Sequence, residues 1–195
     1  MSSAGIVHVA GEEPFLAARL ETVFNDCFAG SCNTRLCGGV AEPLYRPAVL
    51  DGGYHALYYR SDYFASALHE VAHWCIAGVR RRQQPDFGYW YSPDGRSADQ
   101  QRAFEAVEYK PQALEWFFSK ASGYRFQVSA DNLDLAGTGM IDTTLFQRRV
   151  LEQALTWQKA GLPPRADEFY RALCREFDTC ISAAQLRFTL EELVR

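Results

Sequence analysis

A pair of histidines one helical turn apart constrains this chain more than any other feature of its sequence. Residues 69–73 read HEVAH, the pattern HExxH, in which His69 and His73 are four positions apart. On an α-helix this spacing places both imidazoles on one face, so that two ring nitrogens can reach one divalent metal ion. Ordinary hydrogen-bonded histidines are the alternative, but two of the chain's four histidines occur here. The pattern therefore predicts a metal-binding helix.

The residues around the motif are typical of a buried amphipathic helix. Ser61 or Asp62 can cap its start, and we expect it to extend over 62–79. Its buried side is marked by apolar side chains at spacings of three and four positions: Phe64, Leu68, Val71, Cys75 and Val79. His69 and His73 lie on the adjacent stripe, at the border of this buried side.

The rest of the chain predicts a helix-rich α+β fold of one domain over 1–195, with 143–195 as a helical C-terminal part. Segment 29–53 is rich in Gly, Pro and Asn and is expected to be irregular. Alternation predicts strands over 54–60 and 124–129. Further helices are expected over 14–28, 98–120 with an interruption at Pro111 and an end at Gly123, 143–160 capped by Asp142, 166–177 and 182–194.

Charge and hydropathy exclude several classes of protein. The 20 Lys and Arg residues are outnumbered by 24 Asp and Glu residues, which argues against a general nucleic-acid binder. No apolar run is long enough to span a membrane, and the first 14 residues lack the pattern of a secretory signal. We therefore expect a cytoplasmic protein that contacts neither membrane nor nucleic acid directly.

A mononuclear site needs a third ligand, and the helix that begins near Ala98 offers three glutamates. Glu105 and Glu108 are one turn apart, and Glu108 resembles the third-ligand glutamate of HExxH metalloenzymes, so we prefer it to Glu105. Glu115 is expected on a solvated face. Two histidines and one carboxylate leave coordination positions open, a set that suits Fe(II) in oxygenases and catalytic Zn²⁺ in hydrolases. Spacing alone does not choose between them. The purified protein could carry Zn²⁺ or another divalent metal in place of Fe(II).

Several long segments resemble the bacterial elongation factor P hydroxylase family. They occur in the expected order over roughly 14–160: DYFASALHEVAHWCIAG (62–78), DFGYWYSPDGR (86–96), FEAVEYKPQA (104–113) and VSADNL (128–133), with NTRL (33–36) and EPLY (42–45) upstream. The resemblance implies a non-haem iron enzyme outside the jelly-roll fold of many oxygenases. Its substrate would be the β-lysyl-modified lysine of elongation factor P, with O₂ as co-substrate and His69, His73 and Glu108 as metal ligands.

The expected substrate is a long side chain that carries amines, which an acidic channel with aromatic walls would attract. Tyr89, Trp90, Tyr91 and Asp94 can supply such a wall; core aromatics and a turn residue are the equally weighted alternative. Glu70 would orient a water or a substrate amine in an oxygenase, and would be the general base in a hydrolase.

Two other functions compete with the hydroxylase. An HExxH motif with a downstream glutamate is also the signature of zinc metallopeptidases, whose chemistry needs no oxygen. A non-enzymatic adaptor held together by a metal is the third alternative, although such a scaffold needs no open coordination position.

Overall fold

The computed structural model describes residues 15–48, 53–85, 97–129, 143–179 and 181–194, and within these ranges the protein is rich in helix, with one small sheet. The strands are β1 (Thr34–Val40), β2 (Leu44–Arg46) and β3 (His55–Arg60). The α-helices are α1 (Ala17–Phe28), α2 (Phe64–Ile76), α3 (Ala98–Ser122), α4 (Thr144–Ala160), α5 (Pro164–Glu176) and α6 (Leu190–Leu193). None of the described helices is both long and apolar enough to cross a membrane.

The sheet has the strand order β1-β3-β2, with β1 parallel and β2 antiparallel to the central strand β3. The prediction of β3 is confirmed, but the expectation of an irregular segment over 29–53 was wrong, because β1 and β2 both fall within it. The register between β1 and β3 shifts at the Gly38-Gly39 pair, and β2 is only three residues long. Both strands depend on pairing with β3, and local periodicity does not reveal such long-range pairing.

Gly38 lets β1 lie close to β3 and to the loop that follows it. A Cβ atom at this position would lie 2.6 Å from Oη of Tyr59 and 2.8 Å from the carbonyl oxygen of Ser61. The Gly38 amide and the Tyr59 hydroxyl both donate to Oε1 of Glu21 on α1, each at 2.8 Å. This shared carboxylate ties α1 to the sheet.

Helix α2 buries the face that the sequence predicts, except at its C-terminal end. Phe64, Leu68, Val71 and Cys75 are all buried. Val79, expected to be buried with them, is 65% exposed. The expectation was wrong because α2 ends at Ile76, Ala77 is extended and Val79 lies in a turn.

The guanidinium of Arg165 holds the C-terminal end of α2. Its Nη2 atom donates to the carbonyl oxygens of Trp74 at 3.0 Å, Cys75 at 2.9 Å and Ala77 at 2.7 Å. The guanidinium also lies 4.8 Å from the ring centroid of Trp74. Carbonyls at the end of a helix lack the amide donors of a following turn, although the Trp74 carbonyl also accepts from the Ala77 amide at 3.3 Å. A cation at this end of α2 also complements the helix dipole.

Helix α3 continues through Pro111, so the expected interruption was wrong. The helix begins at a capping box formed by Ser97 and Gln100 and ends before Gly123, whose φ of 71° is left-handed. Pro111 removes one backbone donor from the helix. Because α3 packs against α2, α4 and α5, tertiary contacts keep this stretch helical despite that loss.

The segment after α3 forms no strand, contrary to the alternation over 124–129. The buried side-chain amide of Gln112 donates to the carbonyl oxygen of Ser129 at 2.7 Å and accepts from its amide at 3.1 Å. A side chain therefore satisfies the backbone groups that a neighbouring strand would have satisfied.

The expected helices α4 and α5 are present, although Asp142, expected to cap α4, lies outside the described residues. The expected helix over 182–194 was wrong in extent. The chain there forms a 3₁₀ turn, Ala183–Gln185, and the short α6. Between them Phe188 is buried against Trp116 and Phe117 of α3, with ring centroids 4.7 and 4.5 Å away.

We expect Arg165→Ala to lower the free energy of unfolding by about 2–3 kcal/mol, because it removes charge-assisted hydrogen bonds to three carbonyls. Urea denaturation of the purified protein measures this change. Arg171→Ala is the matched control on the same helix, since Arg171 forms an exposed pair with Asp167 and its loss should cost about 0.5 kcal/mol or less. Equal effects of the two substitutions would show that Arg165 does not hold α2.

Candidate metal centre

The packing of α2 against α3 brings together three side chains that could hold a metal ion. His69 and His73 lie one turn apart on α2, and Glu108 faces them from α3. The ligand atoms of these three residues all lie within 4.8 Å of one another. The site therefore combines the histidine pair of the sequence motif with a carboxylate from the following helix.

The separations between the donor atoms fit a single small cation. Nε2 of His73 lies 3.0 Å from Nε2 of His69 and 3.2 Å from Oε1 of Glu108. Nε2 of His69 lies 3.4 Å from Oε2 of Glu108. Two donors that are each ~2.1 Å from one ion lie about 3.0 Å apart at a right angle and about 3.4 Å apart at the tetrahedral angle.

The two candidate glutamates, Glu108 and Glu105, differ in burial and in their hydrogen-bond partners. The Glu108 side chain is 2% exposed, and its Oε2 atom accepts no hydrogen bond from the described residues. A buried carboxylate oxygen without a donor is costly unless a cation lies beside it. Glu105 is only partly buried, and its Oε1 accepts a hydrogen bond from Gln101 at 3.0 Å. The structure thus places Glu108, and not Glu105, beside the histidines.

Glu115 is a residue of this centre that the sequence analysis misplaced. It was expected on a solvated face, but its side chain is 11% exposed and its Oε2 lies 2.8 Å from Nδ1 of His69. A carboxylate at this position accepts a hydrogen bond from the Nδ1–H group, which leaves Nε2 of His69 for a metal ion. The signal was available in the sequence, because Glu108 and Glu115 are seven positions apart and lie on one face of a helix.

The electrostatics of the centre favour a positive charge. Burial opposes the protonation of His69, but the hydrogen bond with Glu115 and the charge of Glu108 raise its pKa to about 10. Burial also opposes the ionisation of Glu108, yet the nearby imidazoles of His73 and His69 lower its pKa to about 2. A divalent cation meets the same demand, because it binds the carboxylate and neutral ring nitrogens and displaces the proton.

A pocket of about 720 Å³ opens beside His69. His69 and Glu70 line it, together with aromatic side chains that include Phe15, Tyr63 and Tyr124. This is within the size range of pockets that take small molecules or long side chains. A substrate in this pocket would therefore lie against the face of α2 that carries His69.

The substrate wall expected from the sequence falls outside the part of the chain that the structure describes. This applies to all four of its residues: Tyr89, Trp90, Tyr91 and Asp94. Their contribution to the pocket stays a prediction. Glu70 is half-buried and lines the pocket together with His69, and its part in the reaction stays a prediction.

Comparison with known proteins identifies a family of hydroxylases. The family model described as Elongation factor P hydroxylase matches residues 23–187. An Elongation factor P lysine hydroxylase from Haemophilus influenzae is 48% identical over 157 residues, which cover 80% of this chain and 86% of the relative. These findings give no support to the metallopeptidase alternative. The matched region contains both candidate metal helices, and the chain belongs to the Elongation factor P hydroxylase family.

Proposed function

We propose that this protein hydroxylates a lysine side chain of elongation factor P, at a centre where His69, His73 and Glu108 hold Fe(II). The observation that carries the proposal is the convergence of three donor atoms beside a pocket, in a chain that belongs to a hydroxylase family. The relative from Haemophilus influenzae is named as acting on a lysine of this factor. We propose further that the lysine carries a β-lysyl group when it enters the pocket.

The reaction inserts oxygen into an unactivated C–H bond, which acid–base side chains cannot do alone. One atom of O₂ becomes the hydroxyl group, the other leaves as water, a reductant supplies two electrons and solvent supplies two protons. Bound Fe(II) would supply the redox chemistry, and a set of two histidines and one carboxylate leaves coordination positions open.

The side chains of the protein have distinct parts in this proposal. Glu115 holds the Nδ1 proton of His69 and so directs Nε2 towards the metal position. Glu108 supplies a buried negative charge that balances the cation. Glu70, half-buried in the pocket beside His69, is placed to accept a hydrogen bond from a water or a substrate amine.

We expect Fe(II)-loaded protein to add one oxygen atom to β-lysylated elongation factor P in air, with ascorbate as reductant, and to add none under anaerobic conditions. Zn²⁺ in place of Fe(II) should abolish the product, because Zn²⁺ has no redox chemistry. Intact-protein mass spectrometry of the factor measures the result. Cleavage of peptide bonds by the zinc-loaded protein, with no oxygen added by the iron-loaded one, would contradict the proposal.

Loss of a residue that hydrogen-bonds to a metal ligand weakens metal binding by about 10- to 100-fold. We expect Glu108→Ala, which removes a ligand itself, to weaken Fe(II) binding by more than this. The fold should survive, because the apolar contacts between α2 and α3 stay in place. Anaerobic calorimetric titration with Fe(II), beside circular dichroism, gives both quantities. Glu105→Ala is the matched control one turn away and should bind Fe(II) as the unchanged protein does. If Glu105→Ala loses metal and Glu108→Ala does not, Glu105 is the ligand.

We expect Glu115→Gln to weaken Fe(II) binding about tenfold while it leaves the metal stoichiometry at one. Glutamine still accepts the hydrogen bond from His69 but removes the negative charge that makes the imidazole a better ligand. The same titration measures the change, with Glu105→Gln as the control on the same helix. An affinity equal to that of the unchanged protein would show that Glu115 does not act on the metal through His69.

A further inference from the structure

We propose that Glu42 and Asp62 bind the ammonium groups of the β-lysyl-modified lysine at the mouth of the pocket, an inference that rests on the proposed function. Both residues line the pocket that contains His69. Both are exposed, whereas His69 and Glu70 are partly buried. The two carboxylates therefore lie where a side chain would enter, and the candidate metal centre lies farther from solvent.

The topology of the sheet brings the loops that carry Glu42 and Asp62 to the same edge. Val40 of β1 pairs with Arg60 of β3 in a parallel arrangement, so that the carboxyl ends of the two strands meet at one edge. Glu42 lies two residues after Val40, and Asp62 lies two residues after Arg60. The backbone of Ser61 ties the loop after β3 to the end of β1, because its carbonyl oxygen accepts from the Gly39 amide at 2.6 Å and its amide donates to the Val40 carbonyl at 2.8 Å. Ligands of parallel sheets commonly bind at this edge.

The charge of the pocket suits a cation with more than one amine. Its described lining residues include three carboxylates, Glu42, Asp62 and Glu70, but only one guanidinium, that of Arg60. Such an excess of one sign in a concave site attracts a ligand of the opposite sign. The aromatic side chains of Phe15 and Tyr124 can cover the aliphatic stem of the ligand.

A second observation connects this pocket with the candidate metal centre. Oε2 of Glu108, which is buried and accepts no hydrogen bond from the described residues, lies 3.4 Å from Nε2 of His69, a pocket-lining residue. A side chain that enters past Glu42 and Asp62 therefore reaches His69, the member of the candidate metal centre that lines the pocket.

The size of the pocket indicates which form of the lysine it selects. A pocket of about 720 Å³ is in the range that accommodates drug-sized ligands, which are larger than one lysine side chain. A β-lysyl group joined to the lysine through an amide lengthens the side chain and replaces one amine with two. Two rim carboxylates match this doubly charged form better than the singly charged lysine.

The test measures binding and reaction in the same preparations. Asp62→Asn, Glu42→Gln and the double variant are loaded with Fe(II), and the dissociation constants for β-lysylated and unmodified elongation factor P are measured anaerobically by calorimetry. We expect the β-lysylated factor to bind about fivefold more weakly to each single variant and about 20-fold more weakly to the double variant. The unmodified factor should lose less, so that the preference for the modified form falls. Admission of air then reports oxygen addition by mass spectrometry.

Asp167→Asn is the matched control, because Asp167 lies on α5 and pairs with Arg171 away from the pocket. It should bind both forms within twofold of the unchanged protein. Melting temperatures separate binding from folding, since a purely structural role of Glu42 or Asp62 would lower them without changing the preference between the two forms. An unchanged preference in the double variant overturns the proposal, as does failure of the unchanged protein to prefer the modified factor. Carboxylate-dependent binding without oxygen addition would uphold this pocket and overturn the proposed hydroxylase.

Discussion

Two buried carboxylates on α3 determine how α2 and α3 can meet. Glu108 and Glu115 lie one heptad apart on a helix that also buries large apolar side chains such as Leu114, Phe117 and Phe118. Buried negative charge is costly unless a partner compensates for it. In this protein α2 supplies the partners, because His69 contacts both carboxylates and His73 contacts Glu108. Apolar contacts hold the two helices together, and the polar contacts between them, which are also the candidate metal centre, compensate for the buried charge.

The other contacts of the fold keep α2 in the position that this match requires. Arg165 holds the C-terminal carbonyls of α2 from α5, while the N-terminal end of the helix follows directly from the central strand β3. Arg60, the last residue of β3, donates its amide to the Ser66 hydroxyl at 3.0 Å, which joins the strand end to the first turn of the helix. The histidines lie between two ends that are both fixed. A site on such constrained elements keeps its geometry better than one on loops.

Sequence reasoning succeeded where one segment carries its own signal. The histidine helix, its apolar face as far as Cys75 and the left-handed Gly123 all follow from local spacing or local backbone demands. It failed where the decisive partner is distant in the chain. Strands β1 and β2 form because β3 pairs with them, and no sequence pattern within 29–53 predicts that pairing.

Glu108 and Glu115 show the same difference between what a local sequence pattern predicts and what depends on distant partners. Glu108 was preferred to Glu105 by analogy with other metalloenzymes, because both occupy similar positions on a helix and their sequence environments do not separate them. Glu115 was assigned to solvent, since a glutamate in a helix is usually exposed. What distinguishes them is the burial that results when α2 packs on α3, and burial of this kind is a property of the assembled helices. The seven-residue spacing between Glu108 and Glu115 becomes informative once the histidine helix is known to face it.

The groups proposed to bind the metal and the groups proposed to select the substrate lie on different parts of the fold. The three donor groups lie on two packed helices, whereas Glu42 and Asp62 lie on loops beyond the carboxyl ends of two strands. A ligand set of two histidines and one carboxylate is shared by zinc hydrolases and iron oxygenases, so it does not by itself define a substrate. Selection must then come from the groups through which the substrate passes. In this pocket those groups carry an excess of negative charge, so the cationic side chain proposed as substrate can pass them and reach His69. The loops can change this selection without disturbing the helices, because no donor of the centre belongs to a loop.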